Sequence, residues 1–105
     1  MTLSELKKKL DALGYPVAYS HFKSKKIPPF ICYIADDSET FNADNKPLVE
    51  FEYVDIELYT VEKDLLAEGK IKEMLKENKL PWSRSEVFID TEGVFKCTFS
   101  IQLIN

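Results

Sequence analysis

Two thiols, one imidazole and a run of acids are the side chains with most chemistry to offer. Cys32, Cys97 and His21 are the chain's only thiols and its only imidazole. A nucleophilic thiol needs a base beside it or a positive field to form thiolate. Both cysteines instead sit inside apolar runs, FICYIA (30–35) and VFKCTFSIQLI (94–104), with no Cys or His at ligand spacing. That placement reads as two buried, reduced thiols, with a disulfide or a dyad with His21 as the alternatives. Glu50, Glu52, Asp55 and Glu57 crowd one segment. Glu50 and Glu52 share one strand parity and Asp55 and Glu57 the other, and no glycine-bearing calcium loop follows, so a solvated strand face is expected. Three widely separated glycines exclude a phosphate-cradling loop. KSKK (23–26) reads as a solvated basic turn able to touch phosphate, and Trp82 as a core anchor. No catalytic, cofactor-binding or metal-ligating set is present in this pattern, and an enzyme is not expected.

The elements that hold these residues fit one domain of 105 residues with 45% hydrophobic content. A net charge of −4, from 14 basic and 18 acidic residues, argues against specific nucleic-acid binding. No apolar run approaches the ~20 residues of a membrane span. The amino-terminal MTLSELKKKLDAL is an amphipathic helix and not a signal peptide's apolar centre, which predicts action or assembly in the cytoplasm.

Thr2 and Glu5 form a capping box ahead of a stripe of Leu3, Leu6, Leu10 and Leu13, ended by Gly14 and Pro16. VAYSHF (17–22) and FICYIA (30–35) read as strands pairing as a hairpin. DDSETFNADNK (36–46) reads as a long polar loop, the kind that is functional or mobile. Phe41 in its middle either tucks back onto the body or waits for a partner. Thr60 is placed to cap a second helix carrying Ala67, Ile71, Met74 and Leu75 on one face, with Leu65 and Leu66 off it. WSRSEVFID (82–90) and the alternating 94–104 form a second hairpin. The order α-β-β-β-α-β-β, with a mostly antiparallel sheet of about five strands and two helices packed on it, is α+β.

The segment LVEFEYVDIELYT (48–60) carries its apolar residues on odd positions at first, Val49, Phe51 and Tyr53, then on even ones, Val54, Ile56 and Leu58. Thirteen extended residues span roughly 43 Å, against a radius of gyration near ~13 Å for such a chain. A bulge near Tyr53-Val54 would bend the strand and restore its inward face. Two readings follow: a local bulge in an ordinary sheet, or a strand packed half at home and half against a second subunit.

YSHF (19–22), PPFICYI (28–34), FNADNKPL (41–48), IELYTVEKD (56–64) and FIDTEGVF (88–95), as an ordered set over nearly the whole chain, resemble small tail proteins of siphophages and prophages of Firmicutes. These are similar to tail terminators, or tail-completion proteins, of long non-contractile tails. The resemblance implies a non-enzymatic ring homo-oligomer, expected to be a hexamer. Such a ring caps the tail tube protein, offers a docking surface to a head-tail connector protein, and resides in the virion after assembly in the host cytoplasm. A head-completion or neck connector protein, and a small α+β binding domain with no phage role, are the alternatives. The resemblance assigns no contact residues. The reading of the chain itself nominates Phe41, Asn42, Asp44 and Asn45 in the polar segment, Lys25 and Lys26 in the basic turn, and Tyr53 and Val54 at the switch.

Overall fold

The computed structural model describes residues 1–44 and 46–104, and only the backbone of residues 43, 47 and 48. It is α+β, in the order α1 (Leu3–Asp11), β1 (Val17–Tyr19), β2 (Phe30–Ala43), β3 (Lys46–Thr60), α2 (Leu65–Glu77), β4 (Ser83–Ile89) and β5 (Val94–Ile104). The five strands form one mixed sheet, ordered β1-β2-β3-β5-β4, parallel only between β1 and β2.

The capping box at Thr2 and Glu5 is formed, satisfying amide groups that the first helical turn leaves unpaired. Leu6 and Leu10 then bury fully against the sheet. From α2, Ala67, Ile71, Met74 and Leu75 join the same cluster, with Ile31 and Tyr33 of β2, Val54, Ile56 and Leu58 of β3, and Cys97, Phe99, Ile101 and Leu103 of β5. Both helices therefore cover one face of the sheet, called the inner face below. Even residues of β3 and odd residues of β5 point into it, as strand alternation requires.

Several expectations need correction. The first two strands are not a hairpin: Val17 pairs with Ile31 and Tyr19 with Tyr33 in parallel. The intervening segment crosses over and re-enters in the same direction through Pro28-Pro29, whose peptide bond is cis. Thr60 does not cap α2; it is the buried last residue of β3, and the Asp64 carboxylate accepts from the Ala67 amide instead. Residues 36–43 are not loop but the second half of β2, paired with β3 up to Ala43 opposite Lys46. Their polar composition suits an exposed two-stranded ribbon, where pairing and not burial holds the strand.

Nor does β3 bulge at Tyr53-Val54; its own register shift lies farther out, between the pairs Phe41–Val49 and Asn42–Pro47. The β3–β5 register runs without a shift from Phe51–Ile104 to Thr60–Phe95. The extra residue is Asp36 on β2, between the pairs Ala35–Val54 and Asp37–Tyr53. Beyond that bulge the β2–β3 hairpin leaves the helix-covered body, and the molecule measures 51 × 27 × 22 Å. This projecting hairpin is called the arm.

Candidate functional site

The outer face of the sheet, opposite the helices, has three zones. At its centre the side chains are polar: Ser100 donates to Asp55 at 2.7 Å, Tyr59 donates to Glu57 at 3.1 Å, and Lys96 Nζ lies 3.8 Å from Glu57. At each end they turn apolar, in two different ways.

At the end where β2 begins, the crossover segment 20–28 folds against the sheet and leaves a cavity of about 510 Å³. Its walls include Phe22, Phe30, Cys32, Tyr59 and Val94; its polar lining includes Lys25, Lys26 and Glu92. Aromatic contacts hold this end. Phe30 stacks on Tyr59 with centroids 4.9 Å apart and meets Phe22 edge-on at 5.3 Å, and Lys26 Nζ stands 5.7 Å above the Phe22 ring. Burial and then the neighbouring Glu57 charge push the Tyr59 hydroxyl well up.

Cys32, His21 and Ser20 all line this cavity, so a thiol and a hydroxyl share it with the imidazole. The thiol is a poor nucleophile there. Burial, then Glu57, pushes the Cys32 thiol up to about 11, so thiolate is scarce at neutral pH. His21 Nδ1 lies 3.2 Å from its neighbour Ser20 Oγ. Cys97 is buried in the opposite face and is likewise pushed up by its burial.

At the other end lies the arm. Directly opposed strand residues share a face, so Phe41 with Val49, Glu39 with Phe51, and Asp37 with Tyr53 all stand on the outer face. Phe51 is also opposite Ile104 of β5. Phe41 does not tuck back onto the body; it is 62% exposed, and Ile104 is 56% exposed. The Tyr53 hydroxyl donates to Glu39 at 3.2 Å, and that bond raises its pKa.

The nominated residues therefore separate. Phe41, Asn42 and Asp44 are exposed on the arm, with Asp44 in the left-handed region (φ 51°) where the hairpin turns. Asn45 lies outside the described residues. Tyr53 is half-buried at the arm's base. Val54 is 1% exposed and belongs to the domain's own core, so it offers nothing to a partner. Lys25 and Lys26 belong to the cavity at the far end. Sequence reading missed that cavity because its walls come from four separated segments. Phe30, Cys32 and Val94 carried the only signal, being apolar residues on the strand parity opposite to the core.

A third constellation joins the helix layer to the sheet edge. Glu68 of α2 meets Lys63 at 2.7 Å and Arg84 of β4 at 2.8 Å, and Glu86 of β4 meets the same two cations at 2.8 and 3.0 Å. With Cys97, the two carboxylates come close enough to hold a metal ion, but Lys63 and Arg84 already neutralise them. The acids of β3 expected on a solvated face divide between the outer face (Asp55, Glu57) and the opposite face of the arm (Glu50, Glu52).

Among the described residues no helix is long and apolar enough to cross a membrane. Neither a protein-family model nor a curated protein matches this chain.

Proposed function

We propose that this protein is a non-enzymatic tail-assembly subunit of a long-tailed phage, a tail terminator that self-associates into a ring on the finished tube and receives the head connector. The observation that carries the self-association is the arm. A small domain extends its two longest strands past its own helix cover and places Phe41 in solvent at the end. Contiguous exposed apolar groups mark interaction surfaces, and Phe41 stands beside Val49 on the same face of the arm as Phe51. The tail role rests on the ordered sequence motifs that resemble tail-completion proteins. The raised thiol pKa of Cys32 argues against a thiolate nucleophile at that position.

The cavity favours one second reading, a small binding domain that takes a ligand beside Lys25 and Lys26. Electron microscopy of a lysate in which the gene is disrupted separates the readings. A terminator predicts free heads beside unattached, abnormally long tails. Unattached tails of normal length would assign the protein to the neck, and normal infectious particles would refute both virion roles.

A further inference from the structure

The arm of one copy and the cavity of another differ in charge and each carries apolar groups, and we infer that Phe41 of one copy inserts into the lysine-bearing cavity of a second. The inference deepens the self-association reading above and depends on it. Residues 36–52 include Asp36, Asp37, Glu39, Asp44, Glu50 and Glu52 against Lys46 alone, whereas the crossover segment 20–28 carries Lys23, Lys25 and Lys26 and no acid, with Glu92 of the β4–β5 turn the acid that joins Lys25 and Lys26 in the cavity lining. Opposite charge at the two contacting zones steers encounter and fixes orientation. The cavity holds about 510 Å³ behind those lysines, ample for one phenyl ring, and its walls are aromatic and aliphatic.

The arm cannot fill its own cavity. Eleven positions of one strand separate Phe30 in the cavity wall from Phe41, roughly 36 Å at ~3.3 Å per residue. The β2–β3 ladder, paired from Phe30 to Phe41 except at the Asp36 bulge, holds that separation. The polar centre of the outer face lies between the two apolar ends, so each end is a separate patch. Two different patches meeting in this way make a heterologous contact, which repeats around a ring if the rotation closes. An arm-to-arm dimer would oppose acid to acid, and a cavity-to-cavity dimer would set two lysines of each copy, offset by Glu92 alone, against the same set in the other.

Sedimentation of the purified full chain, with two variants and their mixture, tests this. Phe41→Ala destroys the knob and keeps the cavity; Lys25→Glu with Lys26→Glu reverses the rim and keeps the knob. All three positions are exposed, so both variants fold, which circular dichroism verifies. The wild type is expected to self-associate, more weakly as salt rises. Each variant alone is expected to associate roughly tenfold to a hundredfold more weakly. Mixed, the two variants retain one intact knob and one intact cavity and are expected to form a capped heterodimer that grows no further. A wild type that stays monomeric at high concentration and low salt, variants that assemble like the wild type, or a mixture that forms no heterodimer would each overturn the inference. Because this readout needs no phage, it is independent of the tail role. A heterodimer together with normal particles after gene disruption would leave the docking in place and remove the terminator.

Discussion

Replacing Arg84 with methionine probes the contact that ties α2 to the edge of the sheet. The Glu68 side chain is 4% exposed, held between Lys63 and Arg84. Burial by itself would push this carboxyl up, but the hydrogen bonds from Lys63 and Arg84 outweigh it and hold the group below its ordinary value of 4.5. A carboxyl with a depressed folded pKa contributes stability that is complete above the unfolded value and is lost as pH falls through the lower, folded one. Removing one partner of a buried pair costs about 3–5 kcal/mol because a charge is left uncompensated. Here Lys63 remains, but it is 44% exposed and its charge is screened by solvent. The expected loss for Arg84→Met at neutral pH is therefore about 2–3 kcal/mol, or roughly 10–20 °C in Tm for a domain of this size. In the variant, burial meets less opposition, so Glu68 titrates higher than in the wild type. The deficit should then shrink as pH is lowered from neutral to about 3. Thermal melts of wild type, Arg84→Met, Glu68→Gln and the double variant across that range measure it, and the double variant should lose less than the sum of the singles. A deficit under about 0.5 kcal/mol at neutral pH, or one equal at both ends of the range, would show that solvent already screens the network.

Two glycines should respond with opposite signs. Gly69 lies inside α2 with open space around a would-be Cβ, so Gly69→Ala should stabilise by about 0.5–1 kcal/mol in chemical denaturation. Gly93, at φ +64° in the β4–β5 turn, should lose about 1–2 kcal/mol when replaced by alanine. Both thiols are 3% exposed, so a thiol-specific chromogenic reagent should react slowly with the native protein and with two equivalents once it is unfolded; fast native reaction of Cys32 would contradict its raised pKa. Replacing residues 40–50 by Asn-Gly, a pair suited to a two-residue hairpin, should leave the Tm within a few degrees and abolish self-association. A large drop in Tm would show that the arm belongs to the core.

The body of the fold was legible because its signals are local or periodic. Thr2 and Glu5 announce the first helix, and the strict alternation of Phe95 to Leu103 announces a strand covered on one face. Ala67, Ile71, Met74 and Leu75 announce the buried face of α2. What failed was non-local. The parallel pairing of β1 depends on where the crossover returns, which Pro28 and Pro29 do not state. Asp36 to Ala43 looks like loop by composition, and only the facing strand turns it into ribbon. Leu65 and Leu66, off the buried face of α2, suit either a neighbouring element or an interface; each is 71% exposed, which leaves no neighbouring element over them. The nominations at Phe41 and at Lys25 and Lys26 arose from separate oddities, and nothing in sequence related the two places. Their placement at opposite ends of one sheet face comes from the ladder between them.

The change of apolar parity along β3 has a physical explanation different from a slip in that strand. β3 alternates without interruption beside β5, so Glu50 and Glu52 stand on the same side as Val54, Ile56 and Leu58. On β3 the apolar series of the inner face stops at Val54, one pair short of the edge of the core, where Leu103 of β5 stands opposite Glu52 and is still fully buried. Past that point Val49, Phe51 and Tyr53 are apolar on the outer face instead. The true slip is on β2, where Asp36 is the extra residue and Asp37, Glu39 and Phe41 come to stand outward beside them. Hydrophobic parity reports which side is covered; geometric parity reports the ladder. Where the first changes and the second does not, one strand serves two covers on opposite sides. The helices are the first of these covers; the second, on the docking proposed above, is the lysine-bearing cavity of another copy, which would receive Phe41.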